Sequence, residues 1–407
     1  MEAVPYPVIS LLTDLIFMDK TSVVRQKKEV TDTHFPLFNQ LESKDHEQVI
    51  LCSDPESGLR AIIAIHSTVL GPSLGGVRMW PYENEAAALR DVLRLSRGMT
   101  YKAAISGLNL GGGKAVIIGD PGRDKQEPLF RAFGRYVDGL GGRYLTAEDV
   151  GMTVREMEWI HSETKYVTGI PVALGGSGNP SPVTAFGVYM GIKACANKAY
   201  GNDSLEGKRI AIQGAGQVGS HLAEYLHKES AELFVSDIYE EKAAKVARVN
   251  HATVVDTDEI YGLDVDIFSP CALGGVINDD TISIIKADII AGGANNVLEV
   301  EEEHGVMLSD MNILYAPDYV INAGGVINLA GELEGYDSER AHNRAAGIYD
   351  KLLDIFSYAE NHNLPTHLAA NHLAEERIRA IGRIDSIYSS SSHFSKRKGE
   401  VYLRNRG

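Results

Sequence analysis

The run Gly214-Ala215-Gly216-Gln217-Val218-Gly219 lies between an apolar, β-branched stretch, Lys208 to Gln213, and a helix-forming stretch, Gly216 to Lys228. Few folds turn a strand straight into a helix through G-x-G-x-x-G. The first glycine makes the turn, the second lets a pyrophosphate approach the backbone, and the third lets helix and strand pack closely, with the helix N-terminus facing the anion. Alone, such a motif also reads as an ordinary glycine-rich loop. The downstream order decides: a strand over Glu232 to Ser236 ends at Asp237, about twenty residues beyond the glycines, where a carboxylate accepts hydrogen bonds from the ribose hydroxyls of an adenosine. A helix over Tyr239 to Val249 and short strands over Asp266 to Ser269 and Asp288 to Ala291 continue the alternation. The expectation is a Rossmann-type, doubly wound parallel sheet with Gly214, Gly216, Gln217, Val218, Gly219 and Asp237 at a dinucleotide.

With 407 residues the chain exceeds what one core supports, so a second domain and a cleft are expected. The first half supplies it. Val49 to Ser53 and Leu59 to His66 read as a hairpin around Asp54-Pro55-Glu56-Ser57-Gly58. Helices follow over Glu85 to Met99 and Pro128 to Leu140, with a strand over Lys114 to Gly119 between them and a long helix over Val183 to Lys198 afterwards. Helices over Ala345 to Glu360 and Leu373 to Ala380 are expected to cross back to this half. The expected plan is an extension over residues 1–34, an α/β catalytic and substrate domain over 35–175 carrying 345–407 on its surface, and the dinucleotide domain over 176–344. The Ser389 to Ser392 run and the basic tail beyond it read as flexible.

Several function classes fall away on composition. Against 55 acidic residues stand 39 Lys and Arg, a formal charge of -16, which argues against a phosphate-tracking nucleic-acid surface and points to small molecules. Cys52, Cys195 and Cys271 are widely separated, with no C-x-x-C pair, so neither a metal site nor a disulfide framework is expected and the reducing cytoplasm fits best. No window is long and apolar enough for a membrane span, and Asp14 interrupts the apolar stretch near the N-terminus that could pass for a signal peptide. The run Leu110-Gly111-Gly112-Gly113-Lys114 is not a phosphate loop: Leu108 stands where the leading glycine belongs, and Ala115 where a magnesium-binding Ser or Thr belongs.

Lysines usually lie on the solvated surface, yet two here sit in apolar settings. Lys102 precedes Ala103-Ala104-Ile105, and Lys114 lies between three glycines and the strand Ala115 to Ile118, where glycines let backbone or ligand come close. Asp149, in Thr146-Ala147-Glu148-Asp149-Val150-Gly151, adds a carboxylate that could also be a simple turn residue. These segments, with Gly71 to Met79, Gly178 to Thr184, Ala294-Asn295-Asn296 and Asn322 to Val326, resemble in order the Glu/Leu/Phe/Val dehydrogenase family, from about Phe35 to about Ile381. The resemblance implies an NAD-dependent amino-acid dehydrogenase, a homo-oligomer, that exchanges an L-amino acid for its 2-oxo acid and ammonia. It implies that Lys102 holds the substrate carboxylate, that Lys114 is the base activating water, and that Asp149 exchanges protons with the amine and carbinolamine. Thr184, Asn295 and Asn296 are implied at the nicotinamide, its ribose or the substrate's amino end.

Hydride loss from the α-carbon leaves an iminium that water attacks. A buried lysine beside a second cation loses its charge more readily, so Lys114 is expected to fall to about 7 to 8 while Lys102 stays charged on the substrate carboxylate. Leu74, before Gly75, occupies the position where glutamate dehydrogenases of the family carry a lysine, and a carboxylate buried against leucine would cost several kcal/mol. Met99, Ala147, Val326 and Leu329 are implied to complete an apolar pocket. Branched aliphatic substrates are therefore expected to beat aromatic ones, although Gly113 would open the floor beside Lys114. A non-catalytic NAD-binding regulator, the alternative class, would have no need of Lys102, Lys114 and Asp149 together.

Overall fold

The structure, a computed structural model, describes residues 37–42 and 45–386. The expected N-terminal extension and the serine-rich, basic tail lie outside the described residues. Two six-stranded sheets organise the chain.

The first is mixed, with strands β1 (Gln48–Asp54), β2 (Leu59–Ser67), β3 (Ser73–Leu74), β4 (Val77–Trp80), β5 (Gly111–Ile118) and β6 (Tyr144–Leu145). Its order is β1-β2-β5-β3-β6, with β4 also on β5. The β1-β2 hairpin forms as expected, antiparallel and closed at Gly58, whose φ of 76° suits a glycine. β2 is buried along most of its length because it is central, while β1 at the edge leaves Leu51 exposed. The strands β3, β4 and β6 escape sequence reading because two to four residues carry no usable period.

The second sheet contains β7 (Arg209–Gln213), β8 (Glu232–Ser236), β9 (Thr253–Val254), β10 (Ile267–Pro270), β11 (Ile289–Ile290) and β12 (Leu314–Tyr315), in the order β12-β11-β10-β7-β8-β9. Every pairing is parallel. From β7 the chain winds outward through β8 and β9, then returns to the other side at β10. The crevice at the carboxyl ends of β7 and β10 is thus a topological switch point, where sheets of this kind take ligands.

Two departures from the expected elements bear on the site. The helix expected to stop at Met99 runs over Glu85–Ile105, which puts Lys102 in its last turn. Its C-terminal end is held from far along the chain: the Arg377 guanidinium donates to the Ala104 oxygen in the last turn at 3.2 Å and to the oxygens of Leu108 and Gly107 just beyond it at 2.7 and 3.1 Å. The strand expected from Lys114 begins at Gly111, so the three glycines are strand residues. The helix expected over Ala345 to Glu360 is two, Ser338–Ala346 and Ile348–His362, meeting at Gly347. Helix Ile348–His362 packs on helix Ser181–Tyr200, and helix Thr366–Gly382 lies against Glu85–Ile105, where Tyr101 donates to Glu375 at 2.8 Å.

A buried carboxylate ties the two sheet systems together. Glu332, on helix Gly324–Glu332, accepts the backbone N–H groups of Gly169 and Ser177 at 2.8 and 2.9 Å and the Ser177 hydroxyl. The connecting segment is held there by charge-assisted bonds, each stronger than a neutral one.

Candidate active site

Lys114 stands mid-strand on β5, buried, in register with Ala64 of β2. Its Nζ lies 2.7 Å from Asp149 Oδ2. Asp149 follows β6 in a tight turn closed by Met152 N–H onto its carbonyl at 3.0 Å, and Gly151, at φ 79°, ends that turn. Burial alone would raise the Asp149 pKa, but the Lys114 ammonium and the Arg78 guanidinium outweigh it and hold the carboxyl down at about 2. Asp149 therefore rests as a carboxylate.

Lys102 reaches the same cleft from the end of its helix, and its Nζ donates to Asn295 Oδ1 at 3.1 Å. Surrounding protein pushes Lys102 down to about 8, with Asp318 pulling it up and Lys114 pushing it further down. Its ammonium opens onto the cleft.

Of the paired asparagines, Asn295 is the one that meets Lys102. Its Oδ1 also accepts from Asn322 Nδ2 at 2.8 Å, and Asn322 is buried. Asn296 adopts a left-handed backbone, φ 51°, and its carbonyl accepts Gly275 N–H at 2.7 Å.

A cavity of about 730 Å³ joins these groups. Lys102, Lys114 and Asp149 line it together with Thr184, Val218, Asn295 and Asn296. Its apolar wall is Leu74, Met99, Ala147, Val326 and Leu329, with Gly75 beside them. Leu74, Ala147, Val326 and Leu329 share one apolar cluster that draws on both sheet systems. Gly214, Gly216, Gln217, Gly219 and Asp237 do not line this cavity, which covers the reacting end of the cleft.

The triple glycine has a different purpose from the one its sequence suggests. A Cβ at Gly112 would strike the Thr100 backbone, and one at Gly113 would come within 2.8 Å of the Tyr144 ring and 2.9 Å of Ser73 Oγ. Gly112 lets β5 press against helix Glu85–Ile105, and Gly113 lets it close on Tyr144 and Ser73. Gly113 opens no floor beside Lys114, because its missing methyl points at Tyr144 and away from the cavity.

The glycine turn fits a dinucleotide on its own geometry. Gly214 has φ 106° and backs onto Ala272, where a Cβ would come within 2.8 Å of the backbone nitrogen, and a Cβ at Gly219 would strike the Gly214 carbonyl. Gly216 differs: no heavy atom lies within 4 Å of its would-be Cβ, so the helix N-terminus of Gln217–Lys228 is open to an approaching group. Asp237 Oδ2 accepts Ala215 N–H and its Oδ1 accepts Tyr239 N–H, both at 2.8 Å, fixing the carboxylate at the end of β8. Thr184, on helix Ser181–Tyr200, donates to the Pro180 carbonyl at 3.0 Å.

Sequence reasoning assigns no role to four cleft residues: Arg78, Glu148, Asp318 and Asn322. Arg78 and Asn322 lie inside the family-like motifs, but nothing local indicates what they touch. Burial raises the carboxyls of Asp318 and Glu148, the latter to about 7 with Glu156 adding to the effect.

Residues 46–166 match the Glu/Leu/Phe/Val dehydrogenase dimerisation domain, and residues 175–238 and 233–382 match the Glutamate/Leucine/Phenylalanine/Valine dehydrogenase domain. The chain belongs to this dehydrogenase family. It is an amino-acid dehydrogenase with the two-domain α/β fold of that family. Leucine dehydrogenase of Bacillus subtilis (strain 168) is 57% identical over 357 residues, 88% of this chain and 98% of that one. Phenylalanine dehydrogenase of Bacillus thermotolerans is 48% identical over 372 residues, 90% of this chain and 96% of its own. The crystal structure of L-tryptophan dehydrogenase from Nostoc punctiforme superposes with a TM-score of 0.73 at 49% identity, covering 85% of this dehydrogenase and 99% of that chain. Among the described residues no helix is long and apolar enough to cross a membrane.

Proposed function

We propose that this dehydrogenase oxidatively deaminates L-leucine and its branched-chain relatives with NAD, reversibly, giving the 2-oxo acid and ammonia. The observation that carries the reading is the placement of Lys102, Lys114 and Asp149 at one end of a cavity whose other wall is Leu74, Met99, Ala147, Val326 and Leu329. Lys102, Lys114 and Asp149 can meet the charged backbone end of an amino acid, and the five apolar residues can meet an uncharged side chain.

The substrate carboxylate goes to Lys102, and a carboxylate within a few ångströms restores the ammonium that burial disfavours. Lys114 then serves as the base for water, passing its proton to and from Asp149 across their 2.7 Å contact. Asp149 exchanges protons with the substrate amine. Asn295, held by Asn322, steers the amino end. Gly214, Gly216, Gln217, Val218, Gly219 and Asp237 hold the dinucleotide, with Thr184 and Asn296 at its nicotinamide end, and the bound cofactor supplies the hydride acceptor. The substrate half spans about residues 35–175 and the dinucleotide half 176–344. The free thiols of Cys52, Cys195 and Cys271 support a cytoplasmic, reducing location, and the dimerisation domain supports a homo-oligomer.

Mixing the chain with L-leucine and NAD at alkaline pH is expected to raise NADH absorbance with stoichiometric release of ammonia; no turnover on any amino acid would defeat the reading. NAD is expected to beat NADP by at least about tenfold in kcat/KM, because the fixed Asp237 carboxylate repels a 2'-phosphate and bonds a 2'-hydroxyl. Equal or better use of NADP would remove Asp237 from that role.

A further inference from the structure

Behind Asp149 stands a second cation with no task in the mechanism above. Arg78 lies on β4, parallel to β5 and paired with Val116, two positions beyond Lys114. Its largely buried guanidinium spans two carboxylates: Nε donates to Asp149 Oδ2 at 3.2 Å, and Nη1 to Asp91 Oδ2 at 3.0 Å. Asp91 is itself fixed, accepting from Tyr82 Oη at 2.7 Å and from Arg94 at 3.2 Å. Lys114 approaches the same Asp149 oxygen, Oδ2, from the opposite strand.

We infer that Arg78 is a positioning residue of the proton-transfer pair: aimed by Asp91, it pins Asp149 Oδ2 between two cations, presents Oδ1 to the substrate amine, and favours release of the pair's proton. The inference rests on the proposed roles of Lys114 and Asp149. Geometry supports it over a purely structural role, because the planar guanidinium holds both carboxylates at once, Nε on Asp149 and Nη1 on Asp91, so Asp91 fixes the direction from which the charge meets Asp149 Oδ2, which a freely rotating ammonium does not. The other ionisable groups facing Asp149 are Lys102 from the Glu85–Ile105 helix, Tyr144 from β6, and the adjacent Glu148, with Tyr82 behind Arg78. None of these supplies a second cation in contact with Asp149.

The sign of the pH effect follows from charge. A cation beside a proton-transferring pair favours the deprotonated state, so its removal shifts the acid-side limb of kcat/KM to higher pH. Freeing the Asp91 carboxylate pushes the same way. Arg78→Met is expected to lower kcat about tenfold to a hundredfold, to move that limb up by about one pH unit, and to leave the Kd for NAD, read by fluorescence, unchanged. Arg78→Lys keeps a cation and is expected to hold the limb at the parent position and recover part of kcat. An active parent with an unmoved limb in folded Arg78→Met overturns the inference alone. Should Arg78→Met fail to fold, a limb that moves in Arg78→Lys overturns it. A parent inactive on every amino acid overturns it together with the functional reading.

Discussion

Lys114→Ala should lower kcat by about a thousandfold while changing the Kd for NAD less than about twofold. A positioned general base contributes roughly a hundredfold to ten-thousandfold, and here the base is also the direct partner of Asp149. The chain should still fold, because Arg78 remains on Asp149 to compensate the buried carboxylate. Cofactor binding should survive because the glycine turn follows a strand of the other sheet and its three glycines, unlike Val218, lie outside the cavity that Lys114 lines. Steady-state turnover beside a fluorescence titration with NAD separates the two effects. Activity within tenfold of the parent would show that another group is the base.

Lys102→Ala should act on the other side of the rate equation, raising KM for the amino acid by about tenfold to a hundredfold with a smaller loss in kcat. A charge-assisted hydrogen bond is worth roughly 1.5–3 kcal/mol, and one unit of 1.4 kcal/mol is a tenfold change. Removing an interaction made equally in the ground and transition states raises KM and spares kcat. The variant leaves Asn295 bonded to Asn322, so the cleft retains its second polar anchor. A large fall in kcat at unchanged KM would place Lys102 in the chemistry and would require a different carboxylate site.

What was legible in the sequence was local. The glycine turn, its flanking strand and helix, and Asp237 lie within about thirty residues, and their meaning comes from spacing alone. Lys102, Lys114 and Asp149 were marked by apolar or glycine neighbours and by resemblance, and the fold brings all three to one cavity. What could not be read was anything fixed by a distant partner. Arg78 and Asp149 are 71 positions apart, and the capping of the Lys102 helix depends on Arg377, about 270 positions on. The direction of the missing methyl at Gly113 depends on Tyr144, which packs there only because β6 joins the sheet through β3. The weakened charge of Lys102 depends on burial by the facing half of the molecule.

The loss of the Gly113 argument sharpens the substrate question. Leu74 and Leu329 are both buried, so a larger substrate side chain has to displace a wall that is already packed. Forcing a larger side chain into a packed wall costs about 1 to 3 kcal/mol, roughly a tenfold to hundredfold preference in rate. The most direct measurement is kcat/KM with NAD for L-leucine, L-phenylalanine and L-tryptophan under one set of conditions. Leucine should lead both aromatic substrates by at least about tenfold. Phenylalanine or tryptophan in front would contradict a wall shaped by Leu74 and Leu329 and the branched-chain assignment that rests on it.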